Sequence, residues 1–174
     1  MKHAVIQGAS AAAALAIAFT VSAQDQKGSK LSADDRNFVM QAADGGMAEV
    51  ELGKLAQQNG ASADVKQFGQ RMVQDHGKAN KELEAIATKL GVTPPKKPSE
   101  KHQADAKKFA KMTGEQFDRE YAQHMVMDHE KTVALFKQQA SGGQAPELKA
   151  FASKTLPVLE EHLKLARSLP GQKK

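Results

Sequence analysis

A seven-residue motif, M-V-x-D-H-x-K, occurs twice in this chain, first at residues 72–78 and again at residues 125–131. Apolar residues recur around both copies with the three- and four-residue spacing of an amphipathic helix. His76 and His129 therefore fall on the apolar faces of two separate helices. A buried imidazole needs either a hydrogen-bonded network or a metal ion, so the repeat constrains both the fold and the chemistry of the interior.

Four long helices are predicted from the apolar periodicity of the whole chain. The composition agrees, because the sequence has no Trp, a single Tyr and many residues that favour helices. Short polar turns join the first helix to the second and the third to the fourth, whereas residues 91–114 contain three prolines and form a long connection. This pattern predicts an all-α fold, a ferritin-like four-helix bundle of two antiparallel helical hairpins joined by a long crossover. The predicted helices cover residues 33–58, 63–90, 115–140 and 146–169, with a short lysine-rich helix within 99–112.

The first 23 residues have the features of a secretory signal peptide. Lys2 precedes an apolar run, and small residues precede a cleavage site after Ala23. The run of about 13 apolar residues is shorter than the roughly 20 that span a bilayer, so we expect no transmembrane anchor in the mature chain. The mature protein is expected to be periplasmic or otherwise exported, with a polar leader at 24–30, one domain at 31–169 and a tail at 170–174.

Charge and cysteine content narrow the classes of partner. The chain has no cysteine, which excludes disulfides and a lipoprotein attachment site. Its net charge of +5 falls by one when Lys2 leaves with the signal peptide. There is no arginine-rich stripe interleaved with aromatic residues, so nucleic-acid binding is not expected. Attraction to an anionic envelope surface stays open, and the sequence identifies no protein partner.

Each predicted helix places one ionisable group on its apolar face, close to mid-helix. At 1.5 Å per residue the four groups come to similar heights if the two hairpin turns lie at opposite ends of the bundle. Three imidazoles and one carboxylate suit zinc, copper or iron better than calcium or magnesium. The sequence therefore predicts one transition-metal site, with ligands Glu49, His76, His129 and His162.

An acidic residue directly precedes each of the three histidines. These residues, Asp75, Asp128 and Glu161, lie at the edge of the apolar faces. They are candidates for orienting a histidine of a neighbouring helix, or alternatively for completing a more carboxylate-rich site. A second interpretation needs no metal: Glu49 pairs with a protonated histidine, and the polar network only sets the register of the helices.

Gly45 and Gly46 stand in the middle of the first predicted helix. Each glycine costs about 1 kcal/mol relative to alanine in a helix interior, so a compensating role is expected. One interpretation is the close approach of a neighbouring helix. The other is a local distortion of the helix beside a site.

Several segments together resemble a widespread family of exported bacterial proteins. The segments are residues 38–49, both copies of the repeat, Phe117-Asp118-x-x-Tyr121, and residues 148–163 with Thr155-Leu156-Pro157. The family is a ferritin-like domain of unknown function, often labelled an outer-membrane or periplasmic protein. The resemblance covers residues 31–169 and implies a ferritin-like four-helix bundle in the cell envelope, without implying a reaction.

One feature of ferritin-like di-iron proteins is missing from the sequence. Those proteins use Glu-x-x-His on two helices, but Val73, Val126 and Leu159 stand three residues before the histidines. A di-iron oxidase is therefore the least favoured hypothesis, and no nucleophile motif indicates another enzyme. The leading hypothesis is an exported metal-binding protein for envelope metal handling or stress. The alternative is a non-enzymatic interaction or structural module with a polar core network.

Overall fold

The computed structural model describes Met1 and residues 31–171, and this part of the chain forms five α-helices and no β-strand. The predicted signal peptide, the leader and the last residues of the tail lie outside the described residues, apart from Met1. Among the described helices, none has the length and hydropathy needed to cross a membrane. The helices are α1 (Ala33–Asn59), α2 (Ala63–Lys89), α3 (Glu100–Phe109), α4 (Gly114–Gly142) and α5 (Pro146–Ser168).

Serine side chains begin three of the helices, as N-caps should. The hydroxyl groups of Ser32, Ser62 and Ser99 accept hydrogen bonds from backbone N–H groups in the first turns of α1, α2 and α3. α5 begins with Pro146, whose fixed φ suits the first position of a helix. The predicted long helices are confirmed, and their ends differ from the prediction by at most two residues.

The long helices form two hairpins. α1 packs along α2, α4 packs along α5, and smaller contacts join α1 to α4 and α2 to α5. Buried aspartates show how the hairpins are oriented. Near the start of α4, Asp118 accepts hydrogen bonds from the backbone N–H groups of Ala61 and Ser62, at 3.0 and 2.8 Å. The turn of the first hairpin therefore lies beside the start of the second hairpin.

The opposite end of the molecule repeats this arrangement. Asp35, near the start of α1, accepts hydrogen bonds from the backbone N–H groups of Gln144 and Ala145, at 3.1 and 3.0 Å. Each hairpin thus uses a carboxylate to cap the turn of the other hairpin. We call these two contacts the Asp35 clasp and the Asp118 clasp. They place the two hairpin turns at opposite ends, which is the condition for four mid-helix groups to lie at one height.

The connection between the hairpins runs between the two ends. Val92, just after α2, packs in one apolar cluster with Phe38 and Leu148. Phe109, at the end of α3, packs in a second cluster with Phe68. α3 also packs against α1, where Asp44 accepts a hydrogen bond from the Ser99 N–H at 2.6 Å and contacts the His102 ring at 3.1 Å.

Glycines set the spacing between α1 and α2. Gly53 and Gly69 face each other across the hairpin, and a Cβ atom on either would lie 2.6 Å from the other's carbonyl oxygen. Gly46 similarly lies against the side chain of Asn80, whereas a Cβ atom on Gly45 would have nothing within 4 Å. α1 is a continuous α-helix through all these positions. The close-approach interpretation therefore holds for Gly46, and the expected distortion of the helix is wrong.

Candidate metal centre

The histidines of α2, α4 and α5 meet between the two apolar clusters. The ring centroids of His76, His129 and His162 lie 5.4 to 5.7 Å apart. One ring nitrogen of each histidine lies within 4.8 Å of those of the other two. Along each of these helices, residues of one cluster precede the histidine and residues of the other follow it. We call this set the histidine layer.

Two of the three rings are held by hydrogen bonds on the nitrogen that would not bind a metal. In His129, Nδ1–H donates to the backbone carbonyl of Met125 at 2.9 Å, and Nε2 has no partner among the described residues. In His162 the roles are exchanged: Nε2–H donates to the carboxylate of Asp75 at 2.8 Å, and Nδ1 has no partner within the same part of the chain. Such contacts on the distal nitrogen orient the ring and leave the other lone pair for a metal.

His76 completes the layer with an Nε2 atom that no described residue contacts by a hydrogen bond. All three histidines are buried, His129 and His162 with 1% of their surface exposed and His76 with 7%. Buried polar atoms in native proteins nearly always have a hydrogen-bond partner. Three unpartnered nitrogens from three helices at one place are therefore an unusual concentration of unsatisfied acceptors.

Burial keeps the imidazoles neutral, which is the form that binds metals. Burial and the neighbouring histidines hold the pKa of His76 well below its ordinary value. Burial, with a smaller effect of His162, lowers the pKa of His129 to about 4. Burial also lowers the pKa of His162, although the carboxylate of Asp75 opposes the shift. At neutral pH each ring therefore offers a lone pair.

Glu49 of α1 lies beside the layer and outside the group of three converging nitrogens. Its Oε1 is 3.8 Å from Nδ1 of His129, the nitrogen that already donates to Met125, and its Oε2 has no partner in the described part of the chain. Burial, with a smaller effect of the Asp128 charge, raises the pKa of Glu49 well above its ordinary value. The structure thus brings together the three predicted histidines and puts the predicted carboxylate at their margin.

Tyr121 is a polar residue of this region that was not among the predicted site residues. Its side chain is fully buried, and its hydroxyl has no hydrogen-bond partner among residues 31–171. Burial and the nearby charge of Glu49 raise the pKa of Tyr121 well above its ordinary value. The sequence puts Tyr121 on the same face of α4 as His129, two turns earlier, and this spacing was the signal that its hydroxyl group is buried near the site.

The three acidic residues that precede the histidines have different surroundings. Asp75 reaches from α2 to His162 on α5, the cross-helix contact expected of an orienting carboxylate. Asp128 instead contacts His124 of its own helix at 2.9 Å. Burial raises the pKa of Asp128, but the contact with His124 outweighs burial, and the pKa is lowered. Glu161 lies 3.8 Å from Lys164 at the surface.

A small cavity lies next to the layer and is lined by residues of all four long helices. Its volume is about 40 Å³, and its lining includes both His76 and Glu49. Gly45, Asn80 and Thr155 also line it and are partly exposed, so the cavity extends from the buried centre toward the surface.

The geometry of the layer fits a single ion. Two ligands of a tetrahedral zinc ion lie roughly 3.4 Å apart, given metal–nitrogen distances of about 2.0–2.1 Å. The three nitrogens lie within 4.8 Å of one another, so small rotations of the side chains would bring them around one ion. Imidazole ligands suit zinc, copper and iron.

The fold and the centre define an all-helical protein with a buried three-histidine layer. The chain belongs to the family described as domain of unknown function DUF4142, whose profile matches residues 20–169. No curated protein matches the sequence.

Two solved structures share the fold at low sequence identity. A DUF305 fragment from Deinococcus radiodurans is 14% identical, with a TM-score of 0.70, covering 80% of this chain and 97% of the fragment. A DUF305 protein from Streptomyces coelicolor, provisionally named a secreted protein, is 16% identical, with a TM-score of 0.65, covering 78% of this chain and 90% of its own. At these identities the likeness concerns the fold alone.

Proposed function

We propose that this protein binds one transition-metal ion, zinc, copper or iron, through His76, His129 and His162. A single observation carries the proposal: three buried histidines from three helices converge, and each has one ring nitrogen without a partner among the described residues. A purely structural network would be expected to pair these nitrogens, because an unpaired buried polar atom costs about 1–3 kcal/mol. Binding one metal ion would satisfy all three at once.

The supporting residues fit this role. Asp75 orients His162, and the Met125 carbonyl orients His129. Glu49 is proposed as a group beside an open coordination position, and as a fourth ligand only after its side chain turns away from Nδ1 of His129. Asp128 and Glu161 are left outside the metal site in this proposal because their contacts are with His124 and Lys164.

The cellular role follows from the proposed location. We infer that the chain is an exported ferritin-like four-helix bundle that handles metal in the envelope or acts under envelope stress. The basic, apolar and small-residue pattern of residues 1–23 supports export, as does the name of the Streptomyces coelicolor relative. Opposite placement of the two hairpin turns supports the crossover bundle.

A di-iron oxidase is a weaker alternative. Val73, Val126 and Leu159 occupy the positions at which Glu-x-x-His motifs carry glutamate. Among the described residues, Glu49 is the only buried carboxylate beside the histidine layer. Asp75 also contacts the layer, through His162, but its side chain is partly exposed. We propose metal binding without a reaction or a substrate.

Metal analysis of the mature protein, purified without a polyhistidine tag, tests the proposal. We expect one equivalent of metal after incubation with zinc or copper and removal of excess ion. His129→Gln should lower the affinity at least tenfold, since it removes a ligand whose lone pair no other group replaces. Its matched control is His124→Gln on the same helix, because His124 contacts Asp128 outside the layer.

The outcomes separate the two leading interpretations. Equal affinity in His129→Gln, His124→Gln and wild-type protein would place bound metal elsewhere and reject the proposed site. Absence of any bound zinc, copper or iron would favour the structural polar-core module. That interpretation predicts that His76→Leu combined with His129→Leu yields a protein that still folds, because apolar residues replace a buried polar group without leaving a charge unpaired.

A further inference from the structure

We propose that the metal centre binds a small exogenous ligand of two or three heavy atoms, which enters through the cavity beside Gly45. The inference rests on the proposed metal site and goes beyond it, because it assigns a second binding position next to the ion. The juxtaposition that carries it is a ligand-poor helix face, a buried carboxyl oxygen without a partner among residues 31–171, and a cavity that contacts His76.

The open position follows from which helices supply ligands. The three histidines come from α2, α4 and α5, so α1 contributes no imidazole to the layer. An ion with three protein ligands keeps a fourth position for water or another small molecule. The α1 side is where Glu49 stands at the margin, with its Oε2 buried and without a partner in the described chain.

The cavity adjoins this position, because its lining includes Glu49 and His76 together with residues of all four long helices. Five residues of α1 contribute to its lining, namely Gln41, Ala42, Gly45, Gly46 and Glu49. Gly45 is partly exposed, and a Cβ atom there would meet no atom within 4 Å. Glycine at this position therefore leaves this part of the cavity lining without a side chain.

The size of the cavity limits the ligand. A cavity needs about 10–15 Å³ to hold one water molecule. The cavity of about 40 Å³ therefore has room for two or three heavy atoms. Azide and peroxide fit this limit, whereas an imidazole ring with five heavy atoms does not. Glu49 supplies a polar group next to the bound ligand, and Leu83, Phe136 and Leu159 supply an apolar wall.

Azide titration of the cobalt(II)-loaded protein tests this inference, with the visible absorption of cobalt as the readout. Cobalt(II) accepts the same nitrogen ligands as zinc, and its absorption responds to a change in coordination. We expect saturable spectral changes with azide and none with imidazole at the same concentrations. Gly45→Leu should weaken azide binding at least tenfold and leave the cobalt affinity unchanged, because the new side chain fills the entrance while the three histidines, which come from other helices, stay in place.

Gly77→Leu is the matched control. Gly77 is also a mid-helix glycine at which an added Cβ atom would meet nothing within 4 Å, and it does not line this cavity. The Gly77→Leu variant should bind cobalt and azide as the wild type does. Thr155→Leu narrows the same cavity from α5 and provides a second test if Gly45→Leu fails to fold.

The results distinguish the inference from the proposed function. Failure of the wild-type protein to bind cobalt, zinc or copper would overturn the metal site and this inference together; if cobalt alone fails to bind, copper(II), whose visible absorption also responds to azide, takes its place. Cobalt binding without a spectral response to azide would overturn only the inference. An equal response in wild-type, Gly45→Leu and Thr155→Leu proteins, or a strong response to imidazole, would also overturn it, because the ligand would then reach the metal by another route.

Discussion

Asp35 and Glu49 are both buried carboxylates of α1, one near an end of the molecule and one at its centre. Asp35 accepts hydrogen bonds from the Gln139 amide at 2.6 Å, from the Ser32 hydroxyl at 2.8 Å and from two backbone N–H groups. Glu49 has a buried oxygen without a partner among residues 31–171. The same helix therefore carries one fully satisfied carboxylate and one unsatisfied carboxylate.

The pKa values of the two groups follow from this difference. Burial would raise the pKa of Asp35, but its hydrogen bonds outweigh burial and lower it. Burial raises the pKa of Glu49, and no hydrogen bond opposes the shift. This fold can therefore satisfy a buried carboxylate where the carboxylate joins two hairpins. The unpartnered atoms of Glu49 and of the three histidines lie together at the centre, which supports a partner from outside the chain.

Removal of the Asp35 clasp should have the largest effect on stability. Asp35→Ala leaves the Gln139 amide and two backbone N–H groups buried without their acceptor, so we expect a loss of about 3 kcal/mol in the free energy of unfolding. Urea denaturation followed by circular dichroism measures it. The control is Asp34→Ala, an exposed neighbour that should lose less than about 1 kcal/mol. Equal losses in the two variants would contradict the role of the clasp.

Zinc should stabilise the centre and leave the clasp unaffected. At a free zinc concentration of 100 times Kd, a site present only in the folded state adds about 2.7 kcal/mol to the free energy of unfolding. Asp35 and Glu49 are 14 positions apart on α1, roughly 21 Å at 1.5 Å per residue, so Asp35→Ala should gain the same increment. Calorimetry with and without zinc checks this expectation. A smaller gain in Asp35→Ala would show that the clasp and the metal site are coupled.

Acid should affect the two regions of the metal-free protein in separate pH ranges. The pKa values of the layer histidines lie below their ordinary value of 6.5, so the unfolded chain binds more protons as the pH falls from about 6.5 toward 4, and stability falls. Glu49 has the opposite effect: because its pKa is raised in the folded protein, its protonation favours the folded state as the pH falls and offsets part of this loss. The Asp35 contribution is present above its unfolded pKa, near 3.8, and is lost only as the pH falls through the lower folded value.

We expect a loss of about 2 kcal/mol between pH 7 and pH 5, measured from urea midpoints. His129→Gln should show a smaller loss over the same range, because it removes one of the shifted groups. Asp35→Asn should keep the full pH dependence between these values. A stability that does not change from pH 7 to pH 5 in Glu49→Gln, which lacks the opposing carboxyl group, would contradict neutral histidines in the folded protein.

Replacing the carboxyl group of Glu49 by an amide should have the smallest effect on stability. In metal-free protein at pH 7, Glu49→Gln should change the free energy of unfolding by less than about 1 kcal/mol, with stabilisation the expected direction, because it removes an ionisable group that burial disfavours. Asp35→Asn should instead destabilise by about 2 kcal/mol, since an amide cannot accept all the hydrogen bonds of a carboxylate. Similar losses in both variants would remove the contrast between the two regions.

Much of the helical architecture could be predicted from the sequence. Apolar periodicity and polar turns predict the four long helices to within two residues at each end, because both are local properties of the chain. The same periodicity put His76, His129 and His162 on buried faces, and the structure brings these three together. Their identification as metal ligands stays a prediction.

The two clasps were not predicted from the sequence. No contact was predicted for Asp35 or Asp118, although both are followed by apolar residues three, four and seven positions later. That spacing was a signal that each carboxylate is buried. Their partners, however, are backbone N–H groups more than 50 residues away in the chain. No local pattern specifies such a pairing, because it depends on how the hairpins dock.

By itself the sequence determined which faces of the helices are buried and which ionisable groups those faces carry, since side-chain direction along a helix follows from its 3.6-residue period. The tertiary structure alone decided which of these groups meet. It brought three histidines together and put Glu49 next to Nδ1 of His129, the nitrogen that already donates to Met125. It also put Asp75 in contact with a histidine of another helix, whereas Asp128 contacts a histidine of its own helix. Contacts between helices depend on their relative rotation and height, and packing of the whole interior sets both.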